Sequence, residues 1–520
     1  MRLLQGALRG RLLAATALAG AMTAFGGGAM AQDAPVATAP AVAPADPREA
    51  KIEALEAQVQ ELAAEIQDLK ASTSAGLKDV RVAQTTALAA LPKVSLPNGA
   101  PTIASADGRF TAAIHAVMQF DAGFYSQGNV PAAQTDPHSR QLNDGTNFRR
   151  ARIGVGGKLF GDFNYNVLYD FGGSGAEDAG KIQELWVEYA GFKPFRARVG
   201  AFAPLVGMED AVSTNSMLFV ERPTPSELAR SSLAAGDRRT GVQLAGNGDH
   251  WLAAFAVTGD TISSLNTAAT AFNLQSYSEQ LGFTGRLAFS PIHGQDYLVH
   301  IGVNGQYVAH PDDTWGGTTI PAGVTGPRFG LRLRDRPELT VDTTRLIDTG
   351  AIDSDGASQV GGELGAQWKN FYAEGEYFDI HLDRRNAAAG VTNPSFAGWY
   401  AEGSWILTGE ARRYNPVNGA FDGPLVAHPF SPKDGGLGAF ELAARYSDED
   451  LNYHTHATLA ADRIRGGDQK IFSAGLNWYA NNTIRFMFDY LHVDVERLNA
   501  AGLEIGQTYN AVAVRSQMAF

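Results

Sequence analysis

Long stretches in the second part of the chain alternate between apolar and other residues, and this period of two constrains the fold more than any other feature. In residues 110–124, every second position is apolar, whereas Thr111, His115 and Gln119 lie between them. Successive side chains of a β-strand point to opposite sides, so the pattern predicts strands with one apolar face. The run is longer than the roughly five or six residues of an ordinary strand and long enough for the roughly 9–11 that cross a membrane.

The alternation recurs along most of the chain that follows. It is visible in residues 195–202, 240–244, 328–336, 361–368, 399–407 and 484–490. Lipid-facing apolar residues that alternate with lumen-facing polar residues are typical of a transmembrane antiparallel β-barrel. We therefore predict an all-β barrel of about 16 strands over residues 101–520, with 18 strands as the open alternative. The last residue, Phe520, ends an alternating strand, which resembles the signal by which outer-membrane barrels are recognised by the barrel-assembly machinery.

The N-terminus indicates export from the cytoplasm. Arg2, Arg9 and Arg11 precede an apolar stretch at residues 12–25, and Ala29-Met30-Ala31 follows as a small-residue cleavage site. This order predicts a signal peptide over residues 1–31, because the apolar stretch is shorter than a membrane-spanning helix needs. A barrel that carries such a leader is expected in the outer membrane of a Gram-negative cell, in contact with its lipid.

Three segments lie between the leader and the barrel. Residues 32–50 are rich in Ala and Pro and predict a linker, residues 51–71 predict a coiled coil in the periplasm, and residues 72–100 predict a second linker. The coiled-coil seam, with apolar residues at alternating spacings of three and four, consists of Ile52, Leu55, Val59, Leu62, Ile66 and Leu69. An amphipathic helix packed on its own domain is the alternative.

Composition excludes several classes of function. The chain has no Cys, which excludes disulfides and thiolate zinc sites. Its formal net charge of −13 argues against nucleic-acid binding. No spacing of Ser, His and acidic residues forms a catalytic set, so we expect no enzyme activity, no cofactor and no metal site.

Arginines occupy the positions that the alternation turns inward. Arg is costly on the lipid face, by about 2–4 kcal/mol at the membrane midplane, so this register is physically enforced. A row of guanidinium groups favours anions and offers forks to phosphate or carboxylate. The predicted anion pathway comprises Arg150, Arg152, Arg196, Arg198, Arg239, Arg328, Arg332, Arg334, Arg336, Arg485 and Arg515. The alternative is that these arginines pair with inward acidic residues, such as Glu184 and Glu188, and only stabilise the wall.

One long connection joins two arginine-bearing strands. Residues 203–237 contain Arg222 and Arg230 between two segments that alternate, and long connections of this kind are often functional. We predict that this loop folds into the lumen as a constriction. An external loop is the alternative.

These residues resemble the phosphate-selective porin O/P family of Gram-negative outer membranes. The resemblance lies in FRRARIG at 148–154, RVGAF at 198–202, MLFVERP at 217–223, GDRRTGV at 236–242, RPE at 336–338, LIDTG at 346–350, FYAEGEY at 371–377, GWYAEGSW at 398–405, ELAARYS at 441–447 and GLNWY at 475–479. It implies a 16-stranded barrel, a homotrimer with the heptad helix as its stalk, and inward basic residues that conduct phosphate or polyphosphate.

One position departs from the family pattern. Members of the family commonly carry Lys after the Gly-x-Phe that precedes the constriction loop, whereas here residues 200–202 are followed by Ala203. We therefore predict either phosphate selectivity or the passage of small anions in general. A non-selective porin, and a structural protein tethered through its coiled coil, remain as alternatives.

Overall fold

The computed structural model describes residues 47–128, 139–172, 181–234, 236–262, 280–294, 296–311, 330–385 and 387–520, with only the backbone of Asn98. The predicted signal peptide, residues 1–31, and most of the first linker lie outside the described residues. The described chain divides into a helical unit that ends at Thr85 and a β unit that begins at Thr86.

All described residues of the helical unit belong to one α-helix, α1, which spans Pro47–Ala89 and ends within the first residues of the β unit. It starts at a proline, which the first turn of a helix tolerates, and contains no second proline. The predicted linkers are therefore wrong for residues 47–50 and for residues 72–89, which belong to the helix. All six seam residues are exposed in the single chain, with 52% to 70% of their surface accessible. No helix in the described part of the chain is long and apolar enough to cross a membrane.

The β unit is a closed antiparallel barrel, as predicted, and sixteen barrel strands lie within the described residues. In chain order they are β1 Thr111–Gln127, β2 Gly145–Leu159, β3 Phe163–Asp170, β4 Lys181–Tyr189, β5 Phe195–Phe202, β6 Arg239–Asn247, β7 Trp251–Thr258, β8 Leu281–His293, β9 Tyr297–His310, β10 Ile352–Trp368, β11 Phe371–Arg384, β12 Ser395–Ile406, β13 Ala439–Tyr453, β14 Ile464–Tyr479, β15 Ile484–Glu496 and β16 Gln507–Ala519. Each strand pairs with its neighbours in sequence.

The last strand closes the barrel against the first. β16 pairs with β1 from Tyr509 opposite Gln127 to Ala519 opposite Val117. Backbone bonds in both directions between Ala116 and Phe520, at 3.0 and 3.1 Å, extend the seam to the final residue. Closure leaves no edge strand, which a membrane requires because its interior cannot satisfy backbone polar groups. We call the end of the barrel that carries Phe520 the near rim, and the opposite end the far rim.

The alternation separates two surfaces. The outward positions hold exposed apolar residues, and aromatic side chains stack across neighbouring strands close to the near rim. Phe371 stacks on Trp405 at 5.5 Å between ring centres, and Trp478 stacks on Phe486 at 5.3 Å. Such aromatic girdles mark the membrane interface in outer-membrane barrels. The inward positions hold buried polar and charged residues instead.

Connections at the near rim are short, with one exception. Six of the seven have two to five residues, but residues 407–438 form a long connection between β12 and β13. This connection contains a hairpin of two strands, Arg413–Asn415 and Ala420–Asp422, which we call the near-rim hairpin. The far rim carries longer connections, including residues 203–238, which we call the inner loop, and residues 311–351.

Candidate functional site

The inner loop lies inside the barrel. Its apolar residues from Met217 to Val220 are only 1% exposed, although they belong to no barrel strand. Arg485 donates to the carbonyl oxygen of Met217 at 2.8 Å, and the backbone N–H of Val220 donates to Asp489 at 2.8 Å. Arg515 donates to the carbonyl oxygen of Val220 at 2.5 Å. Inward side chains of β15 and β16 therefore hold the loop in the lumen by its backbone.

Two further segments enter the lumen. Residues 330–350 enter the lumen from the far rim. Glu338 of this segment accepts a hydrogen bond from Ser447 of the wall at 2.5 Å. It also accepts one from the backbone N–H of Thr224 in the inner loop at 3.0 Å. From the near rim, the hairpin reaches Arg286 of β8, which donates to the carbonyl oxygen of Gly419 at 2.7 Å. Phe421 of the hairpin is fully buried. The lumen is therefore largely filled by protein.

An open cavity of about 350 Å³ remains between the inner loop and strands β1–β5. Its charged lining is mostly basic and consists of Arg152, Arg198, Arg222, Arg230, Arg238, Glu184 and Asp210. Five arginines thus oppose two carboxylates. Ala203, the position that departs from the family pattern, also lines this cavity, as does Phe520 at the near rim.

Each of the four predicted arginines in this lining has a defined partner. Arg152 donates to Asp170 at 2.6 Å, and Arg198 forms an ion pair with Glu188 at 2.8 Å. The guanidinium of Arg198 also lies 4.1 Å from the centre of the Trp186 ring, a favourable cation–π distance.

The two loop arginines are bound more tightly. Arg222 donates to the carbonyl oxygens of Glu209 at 3.1 Å and Val212 at 2.6 Å. Arg230 forms ion pairs with three carboxylates, namely Asp210 at 2.6 Å, Glu227 at 2.8 Å and Asp237 at 2.9 Å. Both residues therefore fix the shape of the inner loop as well as contributing charge to the cavity.

The other predicted arginines of the described strands point inward but do not line this cavity. Arg150 donates to Gln119 at 2.7 Å, and Arg196 donates to the carbonyl oxygen of Val417 in the near-rim hairpin at 2.7 Å. Arg239 donates to the carbonyl oxygen of Arg230 at 2.9 Å. Arg515 makes two bonds of 2.6 Å to Asp121, and Arg485 holds the inner loop as described above. These arginines tie inserted segments or neighbouring strands to the wall.

The predicted strand over residues 328–336 is wrong. Arg328 and Phe329 lie outside the described residues, and residues 330–336 contain two short strands, Gly330–Leu331 and Arg334–Asp335, within the inserted segment at 330–350. Leu333 is fully buried, so the apolar face of this alternation packs inside the lumen and not against lipid. Arg332, Arg334 and Arg336 thus belong to the inserted segment and not to a barrel strand, and Arg332 donates to Asp348 at 2.7 Å.

Arg149 is an inward residue that the alternation did not predict. The register between β1 and β2 shifts at this point, because Gln119 pairs with Arg150 whereas Phe120 pairs with Phe148. This β-bulge turns Arg149 inward beside Arg150. Arg149 donates to Glu221 of the inner loop at 2.6 Å. The available signal was the spacing of three between the outward residues Phe148 and Ala151, since a regular strand allows only even spacings.

The carboxylate of Glu221, in the inner loop, lies beside several of these arginines. Burial opposes its ionisation, but Arg149, Arg150 and Arg515 together hold the pKa of its carboxyl below the ordinary value. Arg238 is a second residue that the prediction missed, since it precedes the first residue of β6. It lines the cavity and lies 3.5 Å from Glu184.

Comparison with known proteins decides the family. The family model described as "Phosphate-selective porin O and P" matches residues 125–520. The chain belongs to this family. It is an outer-membrane porin, as the resemblance implied, and therefore a channel rather than an enzyme.

Relatives of this porin include Porin O of Pseudomonas aeruginosa, which is 26% identical over 423 residues that cover 77% of this chain and 86% of the relative. An uncharacterized protein of Caulobacter vibrioides is 26% identical over 399 residues, which cover 76% of this chain and 71% of that protein. Among solved structures, an anion-selective porin from Comamonas acidovorans aligns with a TM-score of 0.42 and 12% identity, over 79% of this chain and 99% of that one.

Proposed function

We propose that this porin passes small anions by passive diffusion through the cavity beside the inner loop. The observation that carries the proposal is the charge of the lining, in which five arginines oppose two carboxylates. A narrow passage with an excess of one sign of charge concentrates ions of the opposite sign. Arg keeps its charge at any physiological pH, so the selectivity would not depend on protonation.

The pairing of these arginines with acidic residues allows an anion to pass through the cavity without being held there. Asp170 and Glu188, which pair with Arg152 and Arg198, are not among the residues that line the cavity. Their negative charge weakens the field of the guanidinium groups without narrowing the opening. Conduction requires that an ion is attracted strongly enough to enter and weakly enough to leave. Partly neutralised arginines meet both conditions better than unpaired ones.

Phosphate or polyphosphate is the narrower substrate that we propose on family grounds. Family membership and the relative Porin O support this choice. Ala203 argues for a broader range of anions, because it lines the cavity where family members commonly carry Lys. A methyl group there supplies no charge to hold a phosphate oxyanion. We therefore expect phosphate to pass with other small anions and to bind only weakly.

A non-selective porin is the second candidate, and the pairing of the arginines favours it. Arg230 alone faces three carboxylates, and Arg515 is held by both oxygens of Asp121. If pairing cancels the charge of the lining, small solutes of either sign pass equally. The zero-current potential under a salt gradient separates the two candidates, since only the first predicts an anion-selective sign.

We further propose that the porin is a homotrimer in which α1 forms a coiled-coil stalk in the periplasm. The six exposed seam residues support this, because a single helix leaves them in water. We also propose that Phe520, which ends the last alternating stretch, is recognised by the barrel-assembly machinery. A tethering role for the stalk, with the pore secondary, would predict a folded trimer that conducts no ions in a planar bilayer.

A further inference from the structure

Three glutamates meet where the inner loop approaches strands β11 and β12. Glu209 belongs to a short helix of the loop, Met208–Ala211, while Glu374 and Glu402 are register partners on the two strands. One carboxylate oxygen of each residue lies within 4.8 Å of the others. All three side chains are more than nine-tenths buried. The cluster is distinct from the cavity, whose lining includes none of them.

Basic groups near this cluster do not match its charge. Arg445 lies 3.5 Å from Glu402 but also forms an ion pair with Glu338. Arg222 lies 3.9 Å from Glu209, at the limit of an ion pair. Within the described residues, Glu374 has no ion pair with a basic side chain. The cluster therefore carries more carboxylates than neighbouring cations.

A fourth carboxylate adds to this excess and orients the loop. Glu376 accepts the backbone N–H groups of Met208 at 2.7 Å and Glu209 at 3.0 Å. The hydroxyl of Tyr400 lies 2.7 Å from Glu376 and 3.0 Å from Glu374, so its single proton serves two carboxylates. These bonds hold the start of the short helix, and therefore Glu209, against β11.

One buried oxygen of the cluster lacks a donor, and a second has only a distant one. Among the described residues, Oε2 of Glu374 accepts no hydrogen bond, and Oε2 of Glu402 has only the ion pair of 3.5 Å with Arg445, although both are shielded from water. A buried carboxylate without a donor is costly, by several kcal/mol after relaxation, unless a cation or a proton neutralises it.

We infer that Glu209, Glu374 and Glu402 bind one divalent cation of the calcium type, which fastens the inner loop to the barrel wall. All the ligands are carboxylate oxygens, which Ca²⁺ prefers, whereas zinc sites favour nitrogen and sulfur. Oxygens about 2.4 Å from one Ca²⁺ lie at most about 4.8 Å apart, and the three oxygens of the cluster are within that limit of one another. Mg²⁺ usually keeps several waters and takes only one or two carboxylates, whereas this buried cluster offers three.

Such a cation would act through the position of the loop. Glu209 is followed directly by Asp210, which lines the cavity and pairs with Arg230. Fixing Glu209 to the wall opposite the cavity would hold the loop away from β1–β5 and keep the passage open. The inference does not depend on anion selectivity, because it rests on residues outside the cavity lining.

Calcium binding to the purified full-length porin in detergent tests the inference. Equilibrium dialysis after treatment with a chelator should give one Ca²⁺ per chain for the wild type. It should give none for Glu374→Gln or Glu402→Gln. Calcium should also raise the apparent melting temperature of the wild type and leave that of Glu374→Gln unchanged. Glu374→Gln removes a repulsive charge, so we expect this variant to fold without calcium.

Glu363→Gln is the matched control. Glu363 is also a buried inward glutamate, but its oxygens already accept bonds from Arg286, His300 and Asn304. This variant should keep the calcium response. Equal calcium binding by the wild type and Glu374→Gln would overturn the inference. So would a wild-type protein that binds no calcium, since protons would then neutralise the cluster.

Discussion

Replacing Arg198 by Gln should reduce the preference of the pore for anions without unfolding the barrel. Arg198 lines the cavity, and its side chain is 21% exposed. Its partner Glu188 keeps a second arginine, because Arg196 lies 3.6 Å away. The wall therefore retains an ion pair at this point after the substitution, while the cavity loses one positive charge.

The magnitude follows from the size of the cavity. A sphere of about 350 Å³ has a radius of about 4 Å, so the guanidinium acts on an ion at close range. Two unit charges about 4 Å apart interact with an energy of about 1 kcal/mol, even with the dielectric constant of bulk water. Because about 1.4 kcal/mol corresponds to a factor of ten, the anion occupancy should fall about fivefold.

Zero-current potentials in planar bilayers at about 0.1 M salt measure this effect, since screening at that concentration acts over about 10 Å. Arg198→Lys keeps the charge and should retain most of the selectivity. Arg196→Gln is the matched control, because Arg196 lies two residues away on the same strand but does not line the cavity. Equal shifts for Arg198→Gln and Arg196→Gln would refute the assignment of the cavity as the passage.

Three further predictions concern the phosphate position, the stalk and acid stability. Ala203→Lys should add a charge to the cavity and strengthen the block of chloride current by phosphate, and an unchanged block would place residue 203 away from the ion path. Leu62→Glu and Ile66→Asp should each lower the fraction of trimer in sedimentation, whereas an unchanged fraction would show that the seam does not join chains. The ionised carboxylate of Glu221 stabilises the folded protein, because its pKa there is lower than the ordinary value of 4.5. This stabilisation is present above pH 4.5 and is lost as the pH falls below that value. Arg149→Gln should make this contribution smaller and shift acid unfolding to a higher pH, and an unchanged profile would contradict the pairing.

The barrel could be predicted from the sequence because lipid enforces a simple rule. Each outward position within the bilayer must be apolar, so strands such as β1 and β15 show their register directly in the alternation. The same rule failed at residues 328–336. A segment inserted in the lumen also alternates, since one of its faces packs against other inserted residues, and Leu333 is buried there. Alternation alone does not distinguish lipid from a protein-filled lumen.

The near-rim hairpin and the charge of the cavity depend on contacts that are distant in sequence. Residues 407–438 carry no sign that Phe421 packs inside the barrel, because its environment comes from Met208 and Tyr372 of other segments. Inward arginines were predicted from register, but register does not reveal which of them line open space. Arg198 and Arg196 share one face of β5, yet only Arg198 lines the cavity.

Anion selectivity is the central claim, and the zero-current potential of the purified wild-type trimer under a salt gradient tests it most directly. An excess of arginine in the cavity predicts a potential of anion-selective sign, which millimolar phosphate should reduce only weakly because Ala203 supplies no charge. A potential near zero, or one of cation-selective sign, would contradict the claim. It would mean that the carboxylates of the lumen cancel the arginines, and that this porin passes small solutes without regard to charge.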